Sequence, residues 1–298
     1  MSQIPPELTA ARERFLDLVK DLRPELHRYC SRLVGSAIDG EDVVQESLAK
    51  AYYAMSMSPE CPPLRPWLLR IAHNTAIDFL RRYERRFVEP VAEVPDDAAT
   101  EPDVEHPQAI RLALSSFLAL PVLQRSAVIL KDVLDSSLEE IAQTLGTTVP
   151  AVKAALVRAR RTLEAQPVPD IVPWRDRPET SPRERAQLER YVALFNAKDW
   201  PGLQDLLAEE CQLDLVSKSA RRGKPQITPY YGNYAKDDAR LGLGEAEGRT
   251  VIGVYRPASA TRPSYVVTID WRGDRVDFIR DYRYVPYLMA ELAFEPAS

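Results

Sequence analysis

The 298-residue chain is long enough for about two domains, and its composition of 45% hydrophobic and 28% charged residues is typical of a globular protein. A net charge of −5 neither requires nor excludes a nucleic-acid partner. No apolar run approaches the ~18 residues needed to span a bilayer, and the start "MSQIPPELTA" lacks signal-peptide features, so we expect a cytoplasmic protein without a membrane partner. Cys30, Cys61 and Cys211 show no metal-ligand spacing; we expect buried reduced thiols, no metal and no cofactor.

Changes in composition along the chain indicate several segments. The N-terminal part is almost continuously helical in pattern, with breaks at Gly35 to Gly40 and at the proline-rich stretch 58–66. Acids and prolines without Lys or Arg then indicate an extended connector. The predicted boundaries are 8–86 for a first helical domain, 87–107 for the acidic connector, 108–165 for a second helical domain, 166–180 for a proline-rich linker and 181–298 for a C-terminal domain.

The stretch "DGEDVVQESLAKAYY", residues 39–53, predicts a helix with acids at its front and an apolar back that includes Val44 and Leu48. Helix chemistry alone explains such acids, because Asp39 can cap an amide and first-turn carboxylates oppose the helix dipole. The alternative is a surface for a basic partner. The helix by itself does not decide between the two.

Further along, "CPPLRPWLLRIAHNTAIDFLRRYERR" predicts a loop followed by a long helix. One face is apolar, while Arg70, Asn74, Arg81 and Arg85 follow another stripe. A basic stripe beside a loop suits partly single-stranded DNA, where charge follows the backbone and pockets accept unstacked bases. We expect Trp67 to lie in the core.

Residues 137–163 predict two helices that meet at a short turn. Ser137 and Glu140 form a capping box, Gly146 permits the turn, and Thr148 caps the second helix. The spacing is that of a helix-turn-helix, whose second helix enters the major groove; a plain helical hairpin with a solvated basic face is the alternative. Basic residues near the end of the second helix favour DNA. Arg158, Arg160 and Arg161 are candidates for phosphate contacts, and Thr148, Ala151 and Lys153 for base edges.

The C-terminal part begins with helices, the first starting at Ser181, and continues with strands such as "TVIGVYRP" and "SYVVTIDW". Helices followed by antiparallel strands indicate an α+β domain. All three histidines lie outside it, so acid–base chemistry would fall to other groups, which more simply are surface or rim polar groups. These groups are Asp214, Asp270, Asp281, Arg283 and Tyr191.

In this order, "DGEDVVQE", "PWLLRIAHNTAIDFLRR", the acidic connector, "LPVLQRSAVILKDVLDSSLEEIAQTLG" and "VKAALVRARRTL" resemble an extracytoplasmic-function (ECF) sigma factor of bacterial RNA polymerase over about residues 10–165. The resemblance implies a multidomain fold with two all-α sigma domains, the second a helix-turn-helix. It implies core RNA polymerase, through its large-subunit clamp, and promoter DNA as partners, and no enzymatic activity. Ala154 and Ala155 depart from the family, where a polar residue and an Arg are common.

The resemblance also implies roles for individual residues. The polymerase contacts would be Asp39, Glu41, Asp42, Gln45 and Glu46. The minus-ten element would contact Arg65, Arg70, Asn74, Arg81, Arg82 and Arg85. The minus-thirty-five element would contact Thr148, Ala151, Lys153, Arg158, Arg160 and Arg161.

The C-terminal part resembles the SnoaL-like, NTF2-like cone fold, which some sigma factors carry in place of a separate anti-sigma protein and which tunes their activity. An apolar patch in the linker, including Trp174, is expected to dock onto a neighbouring domain. The cone is also a candidate for binding an unknown ligand or protein. Two alternatives remain at this point: a helix-turn-helix regulator independent of polymerase, and a C-terminal hydrolase or isomerase.

Overall fold

The computed structural model describes residues 14–57, 62–87, 117–118, 120–165, 180–235 and 237–297. The chain forms two compact units, Met1–Arg175 and Asp176–Ser298. Within the described ranges, no helix is both long and apolar enough to cross a membrane. Residues 1–13, 58–61, 88–116, 119, 166–179, 236 and 298 lie outside the described residues, and the predictions for the acidic connector and for Trp174 fall on them.

Helices alone build the described part of the first unit. A helical stretch over residues 14–19 comes first. The helices after it are α1 (Arg23–Val34), α2 (Ala37–Ser56), α3 (Leu64–Phe87), α4 (Val122–Val128, continued as a π-helical turn Ile129–Val133), α5 (Leu138–Leu145) and α6 (Val149–Ala165).

The predicted break between Gly35 and Gly40 is shorter in the structure. Gly35 ends α1 with a left-handed φ of 80°, and α2 already begins at Ala37, so Gly40 is helical. Ser36, and not Asp39, caps α2: its side chain accepts a hydrogen bond from the Asp39 backbone N–H. A side chain at Gly40 would approach the Ser31 backbone to 2.7 Å. Glycine there lets α1 and α2 lie close together.

The predicted two-helix motif is confirmed in detail. Ser137 and Glu140 form the capping box of α5, and Gly146 ends that helix with φ of 63°. The Thr148 hydroxyl then accepts a hydrogen bond from the Ala151 N–H at the start of α6. These short-range contacts explain why the sequence locates the turn.

Helices α1 to α6 share one hydrophobic core. Residues from α1 to α3, such as Leu33 and Leu69, belong to the same buried cluster as Ile129 and Leu156 of the C-terminal helices. Arg125 of α4 strengthens this packing, because its buried guanidinium donates to the carbonyl oxygen of Leu33 at 2.7 Å. Trp67 packs against the same cluster, as expected. The two predicted helical domains therefore pack together.

The second unit is α+β, as predicted. Its helices are α7 (Pro182–Asn196), α8 (Trp200–Leu206), α9 (Lys224–Gly232) and α10 (Leu288–Glu291). Its strands are β1 (Leu207–Leu215), β2 (Ser219–Arg222), β3 (Arg240–Ala246), β4 (Arg249–Tyr255), β5 (Tyr265–Arg272), β6 (Arg275–Asp281) and β7 (Phe294–Pro296).

The seven strands form one sheet in the order β2-β1-β6-β5-β4-β3-β7. All neighbouring pairs are antiparallel except β1 and β6, which run parallel, so the predicted antiparallel sheet is mixed. Apolar residues of alternating strand positions, such as Leu213 and Ile279, form the core with Leu188 and Phe195 of α7. Ser181 caps α7 as predicted, by accepting from the Glu184 N–H.

Candidate functional site

The acidic helix α2 divides its carboxylates between core and surface. Glu41 has no exposed surface and forms an ion pair with the buried guanidinium of Arg23 on α1. This burial contradicts the expectation that Glu41 faces a partner. The spacing of Glu41, Val44 and Leu48 places them on one helical stripe, so periodicity is the signal that could have revealed it.

The other acidic-helix candidates are more accessible. Asp39 is buried, with 9% of its surface exposed, whereas Asp42, Gln45 and Glu46 are half-buried. Glu46 pairs with Lys50 at 2.8 Å and with Arg82 of α3 at 2.9 Å. Burial raises the pKa of Glu46, but its hydrogen bonds to these two cations outweigh that effect and lower it. Glu46 is therefore ionised. Through Arg82 it contacts the basic helix α3.

Arg65, predicted to contact DNA, is engaged within the first unit. Its guanidinium donates to Glu25 at 2.5 Å, to Glu140 at 3.2 Å and to the carbonyl oxygen of Leu134 at 3.0 Å. A further hydrogen bond reaches Ser136. In this conformation Arg65 joins α3 to α1 and α5, so its guanidinium is engaged by groups of the protein. Its contact with DNA stays a prediction.

The remaining residues of the predicted minus-ten set follow the surface of α3. Arg70, Asn74, Arg81 and Arg82 are exposed, while the side chain of Arg85 lies outside the described part of the chain. The cations of this set are Arg70, Arg81 and Arg82, and Arg82 pairs with Glu46 at 2.9 Å. Cations on an exposed helix face suit contacts with backbone phosphates.

Helix α6 exposes most of the predicted minus-thirty-five residues. Lys153, Arg158, Arg160 and Arg161 are exposed, and Arg160 also forms an ion pair with Asp132 at 2.8 Å. Ala155 is almost fully buried. The absence of an Arg at that position therefore removes no surface contact.

Sequence reasoning missed a polar contact inside the first unit. His73 of α3 lies 2.8 Å from the Tyr29 hydroxyl of α1 and 3.5 Å from the Ser126 hydroxyl of α4. Burial lowers the pKa of His73 to about 4. A neutral imidazole therefore bridges the N-terminal and C-terminal helices of this unit. Its partners are 44 and 53 residues away, so no local pattern indicates the contact.

The second unit contains a buried carboxyl group among tyrosines. Asp281 at the end of β6 accepts hydrogen bonds from Tyr230 at 2.7 Å and Tyr234 at 3.1 Å. Tyr234 contacts the Tyr265 hydroxyl at 2.8 Å. Burial is the largest influence on the carboxyl group and raises the pKa of Asp281. Alternation with Ile279 along β6 is the sequence signal for this inward position.

The five candidates of the second unit do not form one site. Tyr191 is buried and contacts the Tyr231 hydroxyl at 3.0 Å, whereas Asp270 is exposed and Asp214 is half-buried. The Arg283 backbone N–H donates to Asp281 at 2.8 Å. Across the described residues of both units, no group of three or more His, Cys, Asp or Glu side chains is arranged to hold a metal ion. No nucleophile and base are paired among these five groups.

An open groove of about 640 Å³ lies elsewhere in the second unit, along α7 and β3. Arg185 and Glu189 line one part, and Arg240 and Tyr255 line another. The Arg240 guanidinium lies 4.1 Å from the Tyr255 ring centre. This groove is separate from the tyrosine cluster around Asp281.

Comparisons with known proteins identify the family. Residues 18–86 match sigma-70 region 2, and residues 111–163 match sigma-70 region 4. The ECF RNA polymerase sigma factor SigG of Mycobacterium tuberculosis is 30% identical over 289 residues, which cover 86% of this chain and 78% of SigG. The chain belongs to the ECF sigma factors. This sigma factor therefore directs RNA polymerase to promoters and is not an enzyme.

Two solved structures show further similarity to this sigma factor. The ECF sigma factor SigJ of Mycobacterium tuberculosis has 20% identity and a TM-score of 0.34, with 92% of this chain and 98% of SigJ covered. A putative ketosteroid isomerase of Kribbella flavida has 19% identity and a TM-score of 0.27, with 33% of this chain and 74% of that protein covered. The α+β architecture of the second unit agrees with the NTF2-like fold that the sequence predicts.

Proposed function

We propose that the C-terminal unit modulates the promoter-directed activity of this ECF sigma factor. The observation that carries the proposal is the 289-residue alignment with SigG, which is too long for regions 2 and 4 alone. The alignment therefore extends beyond the sigma regions in both proteins. The second unit has its own hydrophobic core, so the helical unit does not need it for folding. This independence supports an additional function for the second unit.

The polymerase-binding surface is assigned to Asp39, Asp42, Gln45 and Glu46 of α2, with the clamp of the large subunit as the partner. Carboxylates at a surface steer and orient a basic partner. Glu41 instead stabilises the helix pair through Arg23. Since core polymerase works in the cytoplasm, that location is proposed for the chain.

Promoter contacts are assigned to two exposed helices. Arg70, Asn74, Arg81 and Arg82 of α3 serve the minus-ten element, and Arg85 keeps its predicted place in that set. The first turn and exposed face of α6 serve the minus-thirty-five element, in accordance with the docking of helix-turn-helix proteins.

The packing of the first unit affects these assignments. Arg65 is held by Glu25 and Glu140, and Arg82 is held by Glu46. Arg65 and Arg82 are proposed to contact DNA only after exchanging these partners. Polymerase binding at Glu46 favours that exchange, because a basic partner competes with Arg82 for the same carboxylate.

The affinity of the chain for core polymerase tests whether the C-terminal unit modulates its activity. Full-length protein is compared with a chain that ends after Gln166 and with a Trp174→Ala variant, because the proline-rich linker keeps the C-terminal unit at high effective concentration. A change in affinity on truncation supports modulation. Equal affinities and equal transcription by all three proteins would contradict it.

A further inference from the structure

The exposed face of α6 has an apolar centre and charged flanks. At about 100° per residue, Pro150, Ala154, Val157 and Arg161 fall along the middle of the face that is opposite Val152 and the rest of the buried stripe. Ala154 is exposed and Val157 is 53% exposed. Three of the four residues along this centre line therefore offer carbon atoms to the major groove.

We infer that Ala154 and Val157 determine promoter specificity by contacting thymine methyl groups in the minus-thirty-five element. The inference rests on the proposed assignment of α6 to that element. Neither side chain can donate or accept a hydrogen bond, so neither can read the hydrogen-bonding edge of a base. In the major groove, the thymine C5-methyl is the group that an apolar side chain recognises.

The spacing of the two side chains fits neighbouring base pairs. Residues 154 and 157 are three positions apart, which corresponds to a rise of about 4.5 Å along an α-helix. Successive bases of one DNA strand are about 3.4 Å apart. Ala154 and Val157 therefore face adjacent base pairs, and the preferred element contains thymine at both.

The charged flanks position this apolar contact. Lys153 lies on one side of the centre line and Arg158 on the other, and both are exposed. Arg160, beside Lys153, is oriented by its ion pair with Asp132. Phosphate contacts from Arg158 on one flank and Arg160 on the other bring the centre of the helix against the bases.

The apolar centre also has a solvation advantage on DNA. Val157 exposes about half of its surface to water in the free protein. Contact with a methyl group removes apolar surface from water on both partners, and this is favourable. A cytosine or guanine at the same position supplies polar groups without a partner on the helix.

Replacing thymine with deoxyuracil tests the inference, because it removes only the methyl group. Holoenzyme made from core polymerase and the full-length chain first selects its minus-thirty-five element from random duplexes. Each thymine of the selected element is then replaced singly. Burial of one methylene-sized group is worth about 0.8 kcal/mol, so each loss is expected to weaken binding about fourfold.

Two variants assign the methyl contacts. In the Val157→Ala variant, the loss of binding affinity caused by deoxyuracil at one thymine falls below about twofold. In the Ala154→Ser variant, the loss of affinity at the adjacent thymine falls similarly. Glu164→Ala, on the same exposed face, leaves both costs unchanged. Circular dichroism checks that each variant is folded.

Absence of adjacent thymines from the selected element, or unchanged affinity after both replacements, would overturn the inference. Polymerase binding by full-length and truncated chains is measured in a separate experiment. Its outcome tests modulation by the C-terminal unit independently of the thymine contacts.

Discussion

Arg65 on α3 and Glu140 on α5 form an ion pair, with 3.2 Å between Nη1 and Oε1, although 75 residues separate them in sequence. Glu140 has two roles, since its other carboxylate oxygen accepts from the Ser137 backbone N–H in the capping box. The contact thus connects a predicted minus-ten residue to the first helix of the helix-turn-helix.

Replacing Arg65 with Ala should loosen α5 from α3. The lost charged hydrogen bonds are partly exposed, so we expect a cost of about 1 to 2 kcal/mol. Amide protection in α5 should fall about 5- to 30-fold in hydrogen exchange. Arg70→Ala, on the exposed face of the same helix, serves as the control. Equal protection in both variants would mean that Arg65 does not hold the two helices together.

Acidification should weaken the first unit through His73. The folded pKa of about 4 lies below the unfolded value of 6.5, so between these values the unfolded chain binds more protons. The stability that neutral His73 contributes is complete well above pH 6.5 and declines as the pH falls, by about 1.5 kcal/mol between pH 6.5 and 5. Denaturant-dependent hydrogen exchange of α3 and α4 measures this slope.

The His73→Asn variant separates this contribution from those of other titrating groups. Its stability should depend less on pH between 6.5 and 5 than that of the unsubstituted protein. Parallel pH curves for the two proteins would rule out His73 as the source.

Glu46→Lys should lower the affinity for core polymerase at least about tenfold, since it reverses the charge that a basic partner meets. Circular dichroism should show an intact fold, because Glu46 is half-exposed. Glu41→Gln should instead lower the stability of the fold. Loss of the partner of buried Arg23 costs about 3 to 5 kcal/mol, so that variant loses stability first. Normal polymerase binding by folded Glu46→Lys would refute the surface assignment.

Asp281→Asn should make the stability of the second unit depend less on pH. The raised pKa means that the folded unit retains a proton that the unfolded chain releases above about pH 4, so stability falls as the pH rises through this range. An always neutral Asn lacks this loss, and the tyrosine hydroxyls can donate or accept to suit it. Hydrogen exchange of β6 between pH 4 and 7 measures the difference, and superimposable profiles would contradict it.

Local chemistry explains which parts of the fold the sequence predicts. The capping box at Ser137, the turn at Gly146 and the cap at Ser181 depend on residues within a few positions of each other. The partners of Arg65 and His73 come from distant helices, so no local pattern specifies them.

Similar limits apply to the candidate site. The family resemblance implies a polymerase contact for Glu41, although Glu41 shares its helical stripe with the buried Val44 and Leu48. The tyrosines around Asp281 lie on separate elements, and only the folded sheet brings them together.

Run-off transcription with core polymerase is the most direct test of modulation by the C-terminal unit. Full-length protein and the chain that ends after Gln166 are compared at equal concentrations on a promoter selected by the holoenzyme. We expect promoter-specific transcripts from both proteins, at different rates. Identical rates at every polymerase concentration would contradict it.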